Sequence, residues 1–276
     1  MQIDQLWIYP VKSMLGATVP DAELAESGVV GDRMWTLRDE GRGAIASARK
    51  VAGLSKLAAT YTGAGVTITL PDGSTVTDSD ADANERLSAA VDHPVSLWAK
   101  RPADDLDFYR RGRPDSDDIL TEMRSIFGRT EDEPLPDFSV FPPEMIEFEY
   151  PPGNYFDCYP LMIMTTSALR SIREALPDSV IDERRFRPSM VIDTGDEPGH
   201  PEFAWTGRRL RIGSTELQIG AACPRCVVVT REFADDLPGD RSVLRHVVKD
   251  LDQNVGVYAT VITGGHVSAG DHVELL

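Results

Sequence analysis

Residues 221–230 read Ala-Ala-Cys-Pro-Arg-Cys-Val-Val-Val-Thr. Two thiols, Cys223 and Cys226, run straight into three β-branched valines. A redox Cys-x-x-Cys sits at a helix N-terminus, whose dipole depresses the pKa of the nucleophile. A valine run favours an extended chain instead, so the spacing predicts a strand at Val227–Thr230 and a β-rich setting for the pair. Structural zinc needs a second ligand pair. Cys158 and the scattered His93, His200, His246, His266 and His272 supply none at ligand spacing. Two readings stay open. The thiols can pack as small hydrophobes, or one thiolate can be the lone protein ligand of a metal whose other ligands come from a cofactor. Pro224 stiffens the entry to the pair, and Arg225 sets a cation beside the thiolate, favouring its ionised form.

Strand-like segments surround this stretch at Met190–Ile192, Leu210–Ile212, Glu216–Ile219, Val257–Ile262 and His272–Leu275, separated by Gly and Asp turns. Leu161–Ile163 precedes Thr165-Thr166-Ser167, which can cap a helix running to Leu176. In the first hundred residues Gln2–Tyr9, Met34–Arg38, Val66–Leu70, Thr75–Val76 and Val95–Trp98 read as strands, and Ala83–Val91 has helical spacing. The expected fold is α+β, mostly β. It has a barrel-like N-terminal region over 1–100 and a second β-rich domain with a few helices over 148–276. Residues 101–147 are rich in Asp, Glu, Pro and Arg, with a weak helical pattern at Ile119–Phe127. That composition predicts a surface linker, partly disordered.

The chain has 276 residues and a formal net charge of −17. Such an acidic surface argues against nucleic acid and anionic membrane as partners. Any anion must therefore be held by a local basic pocket. No apolar run reaches the ~18 residues of a spanning helix, and no signal peptide opens the chain. Three cysteines fit a reducing compartment. These features predict a cytoplasmic, soluble protein, with a monomer as the default.

The motifs IYPVKS (8–13), GDRMW (31–35), FRPSMVID (186–193), CPRC (223–226) and GVYATVITGGHVSAGDHV (256–273) occur in that order. Together they resemble MOSC proteins, named for the molybdenum cofactor sulfurase C-terminal domain, with the MOSC N-terminal β-barrel ahead of it. Within that family the similarity is to the amidoxime-reducing branch and its bacterial relatives. The resemblance implies a β-barrel MOSC domain and a molybdopterin-type molybdenum cofactor, not pyridoxal phosphate, held between the two parts. It further implies an oxidoreductase acting on N-hydroxylated small molecules.

By the family pattern Cys226 is the thiolate on molybdenum, grouped with Asp157 as catalytic. Lys12, Ser13, Arg33 and Arg187 contact the pterin or its phosphate, with Arg225 nearby. Asp157, Cys158 and Tyr159 stand where the family branch has Asp followed by two small hydroxyl residues. Ser189 replaces an asparagine. Residue chemistry supports the set independently: Lys12 and Ser13 follow Pro10, Arg33 follows Gly31-Asp32, and Arg187 precedes Pro188. Arg suits phosphate and pterin oxygens through its planar fork of donors. Arg49 reads as a solvated surface cation. No dinucleotide fingerprint appears, which predicts a separate electron-transfer reductase. Two other functions compete: a persulfide relay through the thiol pair without redox catalysis, and an interaction protein whose cysteines only pack.

Overall fold

The structure is a computed structural model and describes every residue except Ala64, Pro142 and Asp235. The first part runs through β1 (Gln2–Ile8), β2 (Ala17–Val19), β3 (Asp21–Ala25), β4 (Gly28–Val29), β5 (Trp35–Asp39) and β6 (Ala44–Ile45). It continues with β7 (Ala58–Tyr61), β8 (Val66–Thr69), β9 (Thr75–Thr77), helix α1 (Ala83–Val91) and β10 (Val95–Ala99). Helices α2 (Leu106–Tyr109) and α3 (Ile119–Phe127) follow. The last part comprises β11 (Leu161–Thr165), α4 (Thr166–Ala175), β12 (Met190–Asp193), β13 (Arg209–Ile212), β14 (Thr215–Pro224) and α5 (Arg241–Asp250). It closes with β15 (Asn254–Thr263), β16 (Gly265–Ser268) and β17 (Val273–Leu275). The fold is α+β and mostly β.

An eight-stranded sheet, ordered β17-β13-β14-β15-β11-β12-β1-β2, organises the molecule. Sheet pairing ignores a division at residue 100, because β1 pairs antiparallel with β12 and places Leu6 opposite Met190. β11 and β12 run parallel, and α4 is the crossover between them. The Thr165 side chain caps α4 by accepting from the Ala168 amide. Ile3, Leu6, Ile163, Ile192, Leu217 and Val257 form one core against this sheet. On its other side Ile172 of α4 and Val243, Leu244 and Val247 of α5 pack with Met164, Val191 and Val255. A second core, including Val11, Leu37, Leu54, Ile68 and Leu87, belongs to the N-terminal strands.

Three local expectations differ from what is found. Val227–Thr230 forms a 3-10 turn, not a strand. β14 ends at Pro224, and Thr230 Oγ donates back to the Val227 carbonyl at 2.8 Å, so local hydrogen bonding overrides β propensity. Glu216–Ile219 is a strand as expected but only the first half of a ten-residue one, whose pairing with β15 slips between Ile219 and Ala222 and again before Pro224. Gly256 lies opposite these irregularities with φ +73°, and a Cβ there would come 2.6 Å from the Ile163 carbonyl oxygen. Residues 101–147 are packed along much of their length. Phe108 and Tyr109 are buried with Ile45, Phe148, Tyr150 and Tyr155, and α3 buries Ile126. Helix α5, capped by Asp240, was not anticipated.

Candidate functional site

Where the N-terminal strands meet the large sheet a cleft opens, with ≈ 810 Å³ of empty space including its mouth. Lys12, Ser13, Arg33, Asp157, Cys158, Tyr159, Arg187, Ser189, Arg225 and Cys226 all line it. Ten residues singled out from sequence thus converge on one wall system. Among the described residues, six cations face this space (Lys12, Arg33, Arg49, Arg185, Arg187 and Arg225) against the single carboxylate of Asp157. This is the local basic pocket that a chain of net charge −17 requires if it is to hold an anion.

Lys12 lies just beyond β1 and is almost wholly buried. Its ammonium donates to the Tyr155 carbonyl at 2.8 Å and to Asp157 Oδ1 at 2.7 Å, and sits 3.6 Å from the centre of the Tyr150 ring. Burial lowers its pKa to about 8, with Asp157 pulling the other way. Arg49 Nη2 reaches the same Asp157 oxygen at 2.7 Å. Desolvation within the cleft opposes ionisation of Asp157, but Arg49 and Lys12 override it and hold the half-exposed carboxyl well below the usual carboxylate range. At neutral pH Asp157 is therefore an anion that accepts and does not donate.

Six non-glycine residues among those described have left-handed backbone, and three of them line this cleft: Ser13 (φ 68°), Arg33 (φ 48°) and Arg187 (φ 56°). Such conformations cost free energy and persist where the surroundings impose them. Ser13 Oγ accepts from the Ala48 amide at 3.1 Å, tying two loops of the wall. Arg33 pairs with Asp32, whose other oxygen accepts from the Tyr9 amide at 2.6 Å. Arg187 lies 4.3 Å over the Tyr9 ring and donates to the Met14 carbonyl. Burial, and then the charge of Arg33, lowers Arg187 to about 10, so it stays a cation at neutrality. The Tyr9 hydroxyl is buried and has no hydrogen-bond partner among the described residues.

The three thiols differ sharply. Cys158 is buried, and burial, then Asp157, pushes its pKa up to about 12. Cys223 is 3% exposed and its thiol is pushed up by burial. The sequence sets Arg225 beside the Cys226 thiolate, yet its guanidinium donates to Cys223 Sγ at 2.8 Å and to the Phe186 carbonyl. The reason is geometric: Cys223 is on β14 with its side chain inward, and Arg225 is itself 8% exposed. Cys226 alone is partly exposed, and its sulfur makes no capping hydrogen bond to the turn that it opens. Among the described residues no group of three or more His, Cys, Asp or Glu is placed to hold a metal ion. A metal at Cys226 would find no cage of three such ligands there.

Ser189 lines the floor, where its hydroxyl accepts from the Met162 amide at 3.3 Å. Tyr159 stacks on Tyr258 with centroids 4.8 Å apart. Sequence reasoning discounted Arg49 and passed over Ser47, Met162, Arg185 and Tyr258, all in the lining. No local pattern marks Arg49. Arg185 donates to the Val180, Arg231 and Pro238 carbonyls, so it builds the wall.

Residues 1–105 match the MOSC N-terminal beta barrel domain and residues 152–274 match the MOSC domain. The chain belongs to the MOSC protein family, with its N-terminal barrel and MOSC domains in tandem. It is 26% identical over 296 aligned residues to a mitochondrial amidoxime reducing component 2 of Macaca fascicularis, covering 98% of this chain and 82% of that protein. With the human mitochondrial amidoxime-reducing component 1 it shares 26% identity over 83% of this chain, which spans 65% of that relative's length. Among solved structures, the YuaD protein of Bacillus subtilis aligns over 99% of this chain and 94% of its own, at 13% identity and a TM-score of 0.44. No helix among the described residues is long and apolar enough to cross a membrane.

Proposed function

We propose that this protein is a molybdenum-cofactor-dependent reductase of N-hydroxylated small molecules such as amidoximes and hydroxylamines. One observation carries the reading: the accessible sulfur of Cys226 opens into a cleft lined by six cations and one carboxylate. Molybdopterin is an anionic phosphate joined to a sulfur-ligated metal, and the donor set fits both ends. Lys12, Arg33 and Arg187 offer charge and directed N–H groups to phosphate and pterin oxygens. Cys226 would complete the metal's ligand set, as a soft thiolate suits a metal already held by sulfur.

The bound cofactor supplies two-electron chemistry, and the chain does the rest. Overall, R–NHOH + 2 H⁺ + 2 e⁻ gives R–NH₂ + H₂O, with electrons from a separate reductase. Lys12, Ser13, Arg33 and Arg187 hold and orient the anion. Asp157 holds Lys12 and Arg49 side by side on one oxygen and offsets their mutual repulsion. Lys12, with a pKa lowered to about 8, can return a proton to the cleft near neutral pH. The amidoxime-reducing names of the relatives favour this reaction class. A cytoplasmic, monomeric protein is part of the same proposal.

The same open sulfur among cations would also stabilise a persulfide anion, which is the competing relay function. Metal analysis and a benzamidoxime assay on protein from cofactor-producing cells separate the two. The reductase reading expects about one molybdenum per chain and reduction dependent on Cys226. Persulfide on Cys226 with no molybdenum would establish the relay instead.

A further inference from the structure

We infer that Arg129, from the segment between the two matched domains, is a positioning residue that sets the orientation of the Cys226 sulfur through the peptide bond before it. Residues 106–151 lie outside both family matches. Arg129 follows the end of α3 there and is 7% exposed. Its Nη2 donates to the Arg225 carbonyl at 3.1 Å. Nε and Nη2 also donate to Gln253 Oε1 at 3.2 and 3.1 Å. In return the Gln253 carbonyl accepts from the Arg225 amide at 2.8 Å. Residue 225 is therefore fastened at both its N–H and its C=O, by two residues that are fastened to each other.

The Arg225 carbonyl belongs to the planar peptide that joins Arg225 to Cys226. Fixing that oxygen fixes the plane from which the Cys226 side chain departs. The following residue is braced as well. Gly128 caps α3 at φ +63°, and a Cβ there would lie 3.2 Å from Val227 Cβ and 2.8 Å from Leu244 Cδ2. One segment thus grips both neighbours of Cys226 without itself lining the cleft. The opposing turn is held in an unfavourable backbone, with Asp252 at φ 46° and Gln253 at φ 69°. Burial lowers the Arg129 pKa to about 10, with Glu133 opposing, so the guanidinium still donates at neutral pH. A fork of donors spanning two acceptors is a task for which lysine is no substitute.

The importance of this sulfur rests on the proposed function, but the test does not. In cofactor-free protein at one fixed pH, iodoacetamide alkylation of each cysteine is followed by mass spectrometry, with buried Cys158 and Cys223 as internal controls. Freed from its brace, the turn opens locally, and Arg129→Met and Gln253→Ala each speed Cys226 alkylation by about fivefold or more while the two controls stay protected. Arg129→Lys keeps the charge, loses the fork, and accelerates Cys226 too. The double variant is no faster than the faster single variant, because both residues act through residue 225. Smaller changes, or acceleration shared by all three thiols, overturn the inference. Should Arg129→Met not fold, Gln253→Ala and Arg129→Lys decide the matter. Absence of molybdenum from native protein would sink the cofactor reading and leave this assay intact.

Discussion

The Lys12 ammonium and the Asp157 carboxylate meet at 2.7 Å, joining residues 145 positions apart across the cleft. Arg49 binds the same oxygen, so one carboxylate ties the N-terminal strands to the MOSC domain. Asp157→Asn should cost about 1–2 kcal/mol at pH 7, since its half-exposed side chain is screened by solvent while Lys12 is left buried and unpaired. The folded-state pKa of Asp157 lies below its unfolded value of about 3.9, so the stabilisation is full above about pH 5 and lost as pH falls through the acid range. Urea denaturation at a series of pH values should show wild type and variant converging in acid. A constant gap would refute it.

Lys12 gives the alkaline limb, with the same sign. Its folded-state pKa, about 8, is below the ordinary lysine value of 10.5, so between these values the unfolded chain binds more protons. Its contribution to stability therefore rises with pH across that window. Relative to Lys12→Met, cofactor-free wild type should gain stability between these two values and show no relative gain below the lower one. Parallel thermal-midpoint curves would contradict the assigned burial.

Arg187 separates backbone strain from side-chain function. Arg187→Ala and Arg187→Gly both remove the guanidinium over Tyr9, and both should reduce molybdenum retention. Because φ is 56° at this position, the glycine variant should be more stable than the alanine variant by about 1 kcal/mol. Paired chemical denaturation measures the difference, and equal stabilities would remove the case for strain.

Tyr109 tests whether the segment between the domains is structural. It is fully buried, and its hydroxyl donates to the Arg101 carbonyl at 2.6 Å. Tyr109→Ala should cost about 3–5 kcal/mol by analogy with other buried aromatic truncations. Tyr109→Phe, which leaves that carbonyl without its partner, should cost about 1 kcal/mol. A near-neutral alanine variant would return the segment to linker status.

Much of the site was legible because its residues follow recognisable turns: Lys12 and Ser13 after Pro10, Arg33 after Gly31-Asp32, Arg187 before Pro188. Helix α1 was equally clear from spacing alone. Arg49 was not, since its partner Asp157 is brought to it only by tertiary folding. The valine run after Cys226 misled because propensity is local, whereas Gly128 and the Thr230 hydroxyl shape that turn. The same limit hid the pairing of β1 with β12. Helix α5 is a different case: Asp240 followed by Val243, Leu244, Val247 and Val248 carries a readable cap and apolar stripe.

In the proposed function Cys226 is the protein's ligand to molybdenum. Molybdenum-edge X-ray absorption on protein purified from cofactor-producing cells tests it most directly, with Cys226→Ser and Cys223→Ser alongside. Wild type and Cys223→Ser should show one more sulfur ligand than Cys226→Ser. An unchanged sulfur count in Cys226→Ser, with full metal content, would contradict it.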